Sequence, residues 1–559
     1  GGNGDLKNSF DPQVLQFFYT RYERQQLGWL DSISTTFSFN RQRDNRQTQA
    51  GNPLSTITFE STRTDSFGYA FQATTHIGSH QLLTFGGELY DEYIGAHRTQ
   101  LNPVTNQFGG VIRSRFPNGA RYQTYGTYIQ QSADILPARL SINVGARYSA
   151  FFFKTFASKN PLDSRGRAVV PDISFRTDDV TFNVGASLLI NRNFNLIGTI
   201  SRGFRAPNVS DLGAVGVSSN GFEISTDEAA ALDAEIGSTS DANAQPIGKK
   251  VSTLKPENII SYEGGMKYQN NRAFATVTMF YANLSDFITK RTLLLPPGFV
   301  GQSIGGEKVI FQDPVTGAVR VSVSPQSVLT RTNASDFCFY GIETATRINL
   351  LSSLTLEGNF FYLYGKDSKP IIAKNLQPGV ITGRKAFNAP DIEGGLPPAT
   401  GFLSLRYQPA KRHYWVEVYS NLASKQDRYS SIELADQRLG AMRSRSSIAS
   451  FFSNGARARG LIGNGRDGQP NTADDILLVT GETLLQVQDR VLGQGIISAP
   501  FFTKTPGYGT FNIRGGFLLG EHSNLTIVWE NIFDKNYRLH GSAIDAAGTN
   551  LVIYYSWNF

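Results

Sequence analysis

The chain has 559 residues, of which 40% are hydrophobic, 12% aromatic and only 18% charged, and it contains 55 glycines. No apolar run reaches the roughly 20 residues that a membrane-spanning helix needs, so a membrane protein with this sequence would cross the bilayer with strands. The net charge of +7 comes from scattered Lys and Arg without a nucleic-acid-binding motif, which gives no reason to expect a nucleic-acid partner. The single cysteine, Cys338, excludes an internal disulfide framework and a cysteine-based zinc site.

Strand-like segments follow one another from about Pro12 onward, and their connections alternate between very short and long. The short connections are Ile77–His80, Leu136–Ala138, Ile190–Asn193, Gln269–Arg272, Leu351–Ser353, Gln408–Arg412 and Gly520–Ser523. The long ones are rich in Gly, Asn and Pro and cover roughly residues 101–120, 155–179, 208–257, 293–335, 370–396 and 431–505. This asymmetry is typical of an outer-membrane barrel, whose periplasmic turns are tight and whose outer loops are long.

The segments themselves have the period of two that a strand requires. In residues 140–148 (LSINVGARY) every second position is apolar, and the positions between are polar or glycine and include Arg147. Residues 510–519 repeat the pattern, with Arg514 on the polar side. The number of such strands favours an arrangement with lipid on the apolar face and a polar interior.

The last segment, Asn550–Phe559 (NLVIYYSWNF), places Leu551, Ile553, Tyr555 and Trp557 on one side and stops on an aromatic residue. A terminal Phe after a lipid-facing strand resembles the insertion signal of bacterial outer-membrane barrels, so we expect Phe559 at the periplasmic rim. Considered alone, the segment also fits an alternative interpretation as a strand of an ordinary β-sandwich.

Several motifs resemble those of the TonB-dependent receptors. Ser201–Leu212 reads SRGFRAPNVSDL, and after a long loop Leu254–Glu257 reads LKPE and leads into a strand. Three further passages are similar: Arg121–Gln131 (RYQTYGTYIQQ), Gly341–Glu343, and Glu530–Arg538 (ENIFDKNYR) before the last strand. The resemblance covers essentially the whole chain and does not specify a substrate.

The resemblance implies an all-β fold, namely a transmembrane antiparallel β-barrel of the 22-stranded type, of which this chain supplies about 17 strands. Residues 1–559 are then a partial barrel. We expect the N-terminal plug and about five strands to lie outside this sequence, either in a longer chain of which this is the C-terminal part or in another chain that completes the barrel, because bare strand edges in lipid are costly. The family implies a place in the outer membrane of a Gram-negative-type bacterium, and import energised by the TonB–ExbB–ExbD complex acting through the plug.

Four arginines, Arg147, Arg205, Arg406 and Arg514, are predicted to face the polar interior. Positive charge there would attract an anionic ferric chelate. The alternative is that each arginine pairs with acidic residues of the plug or of neighbouring strands. Asn208 of the FRAPN motif completes this part of the candidate substrate-binding set.

Two of the six histidines, His97 and His540, are expected toward the outer side, where they could meet incoming cargo. Haem iron needs an axial ligand, usually His, and residues 208–253 contain none. A ferric siderophore is therefore the favoured cargo, with haem, and then cobalamin or a sugar, as alternatives.

The longest loop, residues 431–505, is basic and contains an oxygen-rich segment. Its arginines could contact cargo or lipopolysaccharide phosphates, or they could simply be solvated. Asp467, Asn471, Asp474 and Asp475, together with Gln469, supply the oxygen ligands that calcium accepts, although not at EF-hand spacing. We therefore predict no cofactor beyond a structural calcium ion at these residues.

A catalytic function is not indicated. Gly463, Gly465 and Gly468 match a dinucleotide fingerprint but lack the strand and helix that it requires, and no protease, hydrolase or Walker motif occurs. We predict that the protein is not an enzyme. A barrel enzyme or an adhesin is the weaker alternative to transport.

Overall fold

The computed structural model divides the chain into two compact units. Unit 1 comprises Gly1–Ile236 with Gly248–Ala345, and unit 2 comprises Gly237–Ile247 with Thr346–Phe559. The structure describes residues 6–49, 53–162, 166, 168–218, 221–242, 244–324, 326–368, 379–380, 391, 395–410, 412–436, 438–520, 522–542 and 544–557. The prediction made for Phe559 lies outside these residues.

The all-β class predicted from the sequence is confirmed, since 61% of the residues lie in strands and 17 long antiparallel strands follow one another in chain order. In unit 1 the first ten strands are joined in succession by nine antiparallel hydrogen-bonded pairings. They are β1 (Lys7–Leu27), β2 (Leu30–Gln49), β3 (Ile57–Ile77), β4 (Gln81–Asn102), β5 (Ala120–Leu136), β6 (Leu140–Thr155), β7 (Ile173–Asn191), β8 (Phe194–Arg205), β9 (Glu257–Gln269) and β10 (Ala273–Leu294).

The next strand, β11 (Val328–Leu351), begins in unit 1 and ends in unit 2. The strands that follow in unit 2 also pair antiparallel with their successors. They are β12 (Leu354–Asp367), β13 (Thr400–Tyr407), β14 (Tyr414–Ala423), β15 (Tyr508–Leu518), β16 (Ser523–Glu530) and β17 (Asn550–Trp557).

The predicted alternation of short and long connections is also present. Each of the seven predicted short connections joins two consecutive strands, for example β3, which ends at Ile77, and β4, which begins at Gln81. The longest connections follow β8 and β14. Tight turns can be predicted from the sequence because the backbone preferences of Gly, Asn and Pro favour turn conformations.

The long loops contain short elements of their own. The helices are α1 (Val209–Gly213), α2 (Thr226–Ala231), α3 (Ser431–Ala435), α4 (Arg445–Ser450) and α5 (Leu484–Leu492), with a 3₁₀ turn at Ala157–Lys159 and a π-helical turn at Phe451–Ala456. The short strands are Gln107–Phe108, Gly216–Ser218, Gly221–Ile224, Glu235–Gly237, Pro246–Lys250, Ser303–Ile304, Glu307–Gln312, Val319–Val321, Arg443–Ser444, Ile462–Gly463, Ile476–Leu477, Glu482–Thr483 and Ser498–Ala499. Within the described ranges, no helix is both long enough and apolar enough to cross a membrane.

The long strands expose their apolar face. On β6, Val144 and Tyr148 are 46% and 41% exposed, whereas Arg147 on the other face pairs with Glu88 of β4. Aromatic rings of neighbouring strands meet on the exposed face, as in the pair Phe37–Tyr69, whose centroids are 4.7 Å apart. A continuous apolar face of this kind fits contact with lipid rather than the inside of a water-soluble sandwich.

A compact apolar core in unit 1 lies where the strands meet the long loops. Its buried residues are Ile94, Ala120, Tyr122, Phe153, Leu212, Leu254 and Ile288. Leu212 comes from α1 and Leu254 from the LKPE segment, so this core fixes both ends of the loop that joins β8 to β9.

Candidate functional site

The FRAPN motif ends strand β8 and starts helix α1. The Asn208 side chain accepts a hydrogen bond from the Asp211 backbone N–H (3.0 Å), and the Asp211 carboxylate accepts one from the Asn208 N–H (3.0 Å). This reciprocal cap explains why the chain turns into a helix at this point. Asn208 therefore has a local structural role, and its predicted contact with cargo is not tested by the structure.

Arg205 joins the two motifs that identified the family resemblance. It donates two hydrogen bonds to the carboxylate of Glu257, the last residue of LKPE, at 2.7 Å each. It also donates to Asp211 at 2.6 Å. Arg205 and Glu257 face each other in the β8–β9 register, so strand pairing itself brings the charges together.

Further buried charges extend this cluster. Arg331 of β11 contacts Asp211 at 3.0 Å and Glu223 at 3.5 Å, and Lys290 of β10 contacts Glu223 at 2.8 Å. Three cations thus match three carboxylates. No sequence pattern indicated Arg331, Lys290 or Glu223, because only the fold brings these residues close to the FRAPN motif.

Two other predicted arginines are also matched by carboxylates. Arg147 pairs with Glu88 and donates to the Ser149 hydroxyl at 2.9 Å. Arg514 of β15 donates to both oxygens of the buried Glu417 carboxylate, at 3.0 and 2.9 Å. Pairing with neighbouring strands was the alternative to cargo binding, and the geometry supports that alternative for both residues.

Arg406 of β13 differs from the other three. Its guanidinium lies 4.2 Å from the ring centroid of Trp415, and no carboxylate is within ion-pair distance among the described residues. Glu417 is its register partner on β14, but that carboxylate is bound by Arg514. Of the four predicted arginines, Arg406 therefore best retains the charge needed to attract an anion.

The two candidate histidines have different environments. His97 on β4 is exposed and lies opposite Ser61 in the register. The Nδ1 atom of His540 lies 2.9 Å from the Gln426 side-chain nitrogen, which also donates to the Leu396 carbonyl at 2.6 Å. His97 is thus the better placed of the two to meet a ligand from outside.

The predicted calcium residues bind groups of their own loop. Asp474 accepts hydrogen bonds from the Arg466 N–H (2.6 Å) and the Thr472 hydroxyl (2.8 Å), and Asp475 pairs with Arg457 and accepts from the Asn471 N–H (2.8 Å). In the described part of the chain no group of three or more His, Cys, Asp or Glu side chains is arranged to hold a metal ion. The calcium site, which includes Asp467, stays a prediction.

The basic loop is partly neutralised in the same way. Arg438 pairs with Asp436 at 3.1 Å, and Arg445 pairs with Asp489 of α5. Arg459 and Arg466 form no ion pair within the residues described for this loop.

A cavity of about 660 Å³ lies entirely within unit 1, among the loops that follow β6, β8 and β10. Its lining includes Phe175 and the core residues Leu212 and Leu254, together with polar side chains from α2 and from Gln302. The volume lies in the range of small-molecule sites. Sequence patterns did not indicate this cavity, because three separate loops form it.

With this geometry in view, the chain can be compared with known proteins. It matches the family model described as TonB dependent receptor-like, beta-barrel, over residues 1–532. No curated protein sequence matches it.

Several solved structures have a similar fold. The copper transporter OprC is 13% identical with a TM-score of 0.63, and the match covers 100% of this chain and 67% of OprC. The hemophore receptor HasR of Serratia marcescens, solved as a double mutant with its hemophore HasA and heme, is 12% identical with a TM-score of 0.58, covering 99% and 66%. The FrpB iron transporter of Neisseria meningitidis is 12% identical with a TM-score of 0.55, covering 98% and 64%. This chain therefore spans about two thirds of the length of these proteins.

Proposed function

The chain belongs to the TonB-dependent receptor β-barrel family, and we propose that it is part of a receptor that imports a metal chelate, a ferric siderophore, with energy from TonB. Proteins of this family are outer-membrane β-barrels of Gram-negative bacteria, and so is this one. The family is one of receptors and transporters rather than enzymes.

The observation that carries this proposal is the family match over residues 1–532, to which the contact between FRAPN and LKPE adds a structural counterpart. The choice of iron is supported by relatives of the same fold, since FrpB is described as an iron transporter. OprC, which has the same fold, is described as a copper transporter, so a copper chelate is the competing metal cargo.

The proposal includes two kinds of partner, an energy-supplying protein complex and the lipids of the outer membrane. The TonB–ExbB–ExbD complex would supply energy to the receptor. Outer-membrane lipid would contact the exposed apolar face. Lipopolysaccharide phosphates would contact loop arginines, such as Arg459 and Arg466, that form no ion pair with any residue the structure describes.

Haem is the second candidate cargo, because HasR was solved with heme and because His97 is exposed on this chain. The two candidates separate in a titration of the complete receptor with hemin. A His-ligated absorption spectrum that His97→Ala or His540→Ala abolishes would replace the siderophore by haem.

Growth of a receptor-deficient strain under iron limitation tests the proposal. The full-length gene should restore growth with a ferric siderophore as the only iron source, and the same gene should fail in a strain without TonB. Restoration by none of a panel of ferric chelates, or restoration by hemin alone, would contradict the siderophore assignment.

A further inference from the structure

Three arginines share a single carboxylate on the exposed apolar face of unit 1. Arg41 of β2 donates two hydrogen bonds to Asp65 of β3, at 2.6 and 3.0 Å, and Arg63 of β3 lies 3.4 Å from the same carboxylate. Arg43 forms no ion pair with any residue that the structure describes. Three guanidinium groups therefore face one carboxylate, and positive charge is in excess.

The strand register fixes this excess. Arg43 and Arg63 are direct partners in the β2–β3 pair, and so are Arg41 and Asp65. Side chains alternate between the two faces of a strand, so all four of these side chains lie on one face. Like charges directly opposite each other destabilise a strand pair. An anion bound between Arg43 and Arg63 would remove that repulsion.

The face that carries these arginines is the apolar one. Phe39 and Phe67 precede them on the same face toward the short turns, with ring centroids 4.9 Å apart, and Phe67 is 59% exposed. The Arg41 guanidinium lies 5.4 Å from the centroid of the Phe39 ring. The arginines lie beyond the aromatic pair, away from the short turn that joins β3 to β4. By the family's arrangement this is the outer side of the membrane.

We propose that Arg41, Arg43 and Arg63 bind a phosphate group of lipid A, the phosphorylated anchor of lipopolysaccharide in the outer leaflet. The fork of an arginine binds phosphate with two parallel hydrogen bonds. The acyl chains of such a lipid would contact the aromatic residues, and its phosphate would lie at the level of the arginines. This site is separate from the loop arginines Arg459 and Arg466. It depends on the outer-membrane location of the protein and not on the imported cargo.

The basic row continues across the neighbouring strands. In the register, Tyr93 of β4 follows Asp65, and Arg121 of β5 follows Tyr93. Lys154 of β6 comes next. Arg121 donates to Asp91 at 2.7 Å, whereas Lys154 forms no ion pair among the described residues. Neighbouring strands are about 4.8 Å apart, so the four steps from β2 to β6 span roughly 19 Å, enough for a headgroup with more than one phosphate.

The surroundings leave the arginines accessible from the membrane. Gly95 of β4 is the partner of Arg63 on its other side, and it has no side chain to cover the guanidinium. The Arg63 side chain is 42% exposed. The next row outward contains no carboxylate and consists of Asn45, Ser61 and His97. No acidic side chain of these rows other than Asp65 competes with a bound phosphate for the three arginines.

Lipid binding to the full-length receptor, purified in detergent and freed of lipopolysaccharide, tests the inference. The probes are diphosphoryl lipid A, the same lipid with both phosphates removed, and phosphatidylglycerol. A terminal phosphate carries more charge than the phosphodiester of phosphatidylglycerol and offers three acceptor oxygens. We therefore expect diphosphoryl lipid A to bind at least about tenfold more tightly than either of the other lipids, the scale of a charge-assisted hydrogen bond.

The double substitution Arg43→Gln with Arg63→Gln should weaken binding of diphosphoryl lipid A by at least about tenfold. It should leave binding of the dephosphorylated lipid unchanged. The matched control is Arg139→Gln with Arg192→Gln, which removes two exposed arginines at short turns on the other side of the membrane. The control should bind all three lipids like the unaltered receptor. Heat-modifiable mobility of each variant reports that it is folded.

Four results would overturn the inference. They are equal affinity for the phosphorylated and dephosphorylated lipids, equal affinity for lipid A and phosphatidylglycerol, an equal loss in the control variant, and a loss that appears in Arg459→Gln with Arg466→Gln but not in Arg43→Gln with Arg63→Gln. The assay contains no iron chelate and no TonB. Its result is therefore independent of the proposed import function, which the uptake experiments test.

Discussion

Arg205 and Arg406 each lie near the end of a strand, and both were predicted to face the polar interior, yet their surroundings differ. Arg205 in unit 1 contacts Glu257 and also Asp211, which it shares with Arg331, so its charge is matched within the cluster. Arg406 in unit 2 faces Glu417 across the strand pair, but Glu417 binds Arg514, and Arg406 lies over Trp415 instead. Where two arginines lie on either side of one carboxylate, as Arg406 and Arg514 do at Glu417, the arginine that does not bind the carboxylate remains available to a ligand.

The largest expected effect comes from breaking the matched region. Glu257→Ala leaves Arg205 with Asp211 alone and removes the acceptor of the Ile288 N–H, which donates to Glu257 at 2.8 Å. We expect the free energy of unfolding to fall by about 2–3 kcal/mol, less than for a fully buried pair because Arg205 is partly exposed. Denaturant unfolding of the full-length receptor measures this.

Glu263→Gln on the same strand is the matched control, since Glu263 forms no ion pair among the described residues. It should change the unfolding free energy by less than about 0.5 kcal/mol. An equal loss in both variants would show that the cluster beside α1 does not stabilise the receptor.

A smaller effect is expected in unit 2. Arg514→Met removes the partner of Glu417, and Arg406 is near enough in the register to replace it, so the loss should be about 1–2 kcal/mol. Arg406→Met removes only a cation–π contact, worth about 0.5–1 kcal/mol at a partly exposed site.

The double substitution Arg406→Met with Arg514→Met should cost more than the sum of the single losses, because Glu417 then has no cation to replace Arg514. If the two single losses of unfolding free energy simply add to give the loss in the double variant, Arg406 does not bind the Glu417 carboxylate in the absence of Arg514.

The smallest expected effect concerns a carboxyl group that forms no ion pair among the described residues, the reverse of Arg406. Burial raises the pKa of Glu433 to about 7 from its ordinary 4.5, although the Ser430 N–H and hydroxyl oppose the shift and Asp391 and Asp436 add to it. The folded state therefore keeps a proton that the unfolded chain loses, so this group lowers stability as pH rises from about 4.5 to about 7.

Glu433→Gln should flatten that part of the stability profile, measured as thermal unfolding of the full-length receptor between pH 4.5 and pH 8. Glu482→Gln, which removes a partly exposed carboxylate paired with Arg490 in the same long loop, should leave the decline in place. If the stability of Glu433→Gln still falls as pH rises over this range, another group causes the decline.

The strands, the tight turns and the family motifs could be predicted from the sequence because each depends on residues close together in the chain. The pairing of buried charges could not be predicted, since Arg331 and Asp211 are 120 positions apart and no local pattern indicates their contact. The cavity in unit 1 was missed for the same reason. Arg205 and Asn208 were predicted as site residues from the FRAPN motif. In the structure their hydrogen bonds with Glu257 and Asp211 hold the loop between β8 and β9 in place.

Uptake of iron-55 as a ferric siderophore, in cells whose only receptor for that chelate is the full-length protein, tests the central claim most directly. The account predicts saturable uptake that is lost when TonB is deleted and restored when it is supplied again. Uptake of the same rate and saturation in cells without TonB would contradict energised import by this receptor.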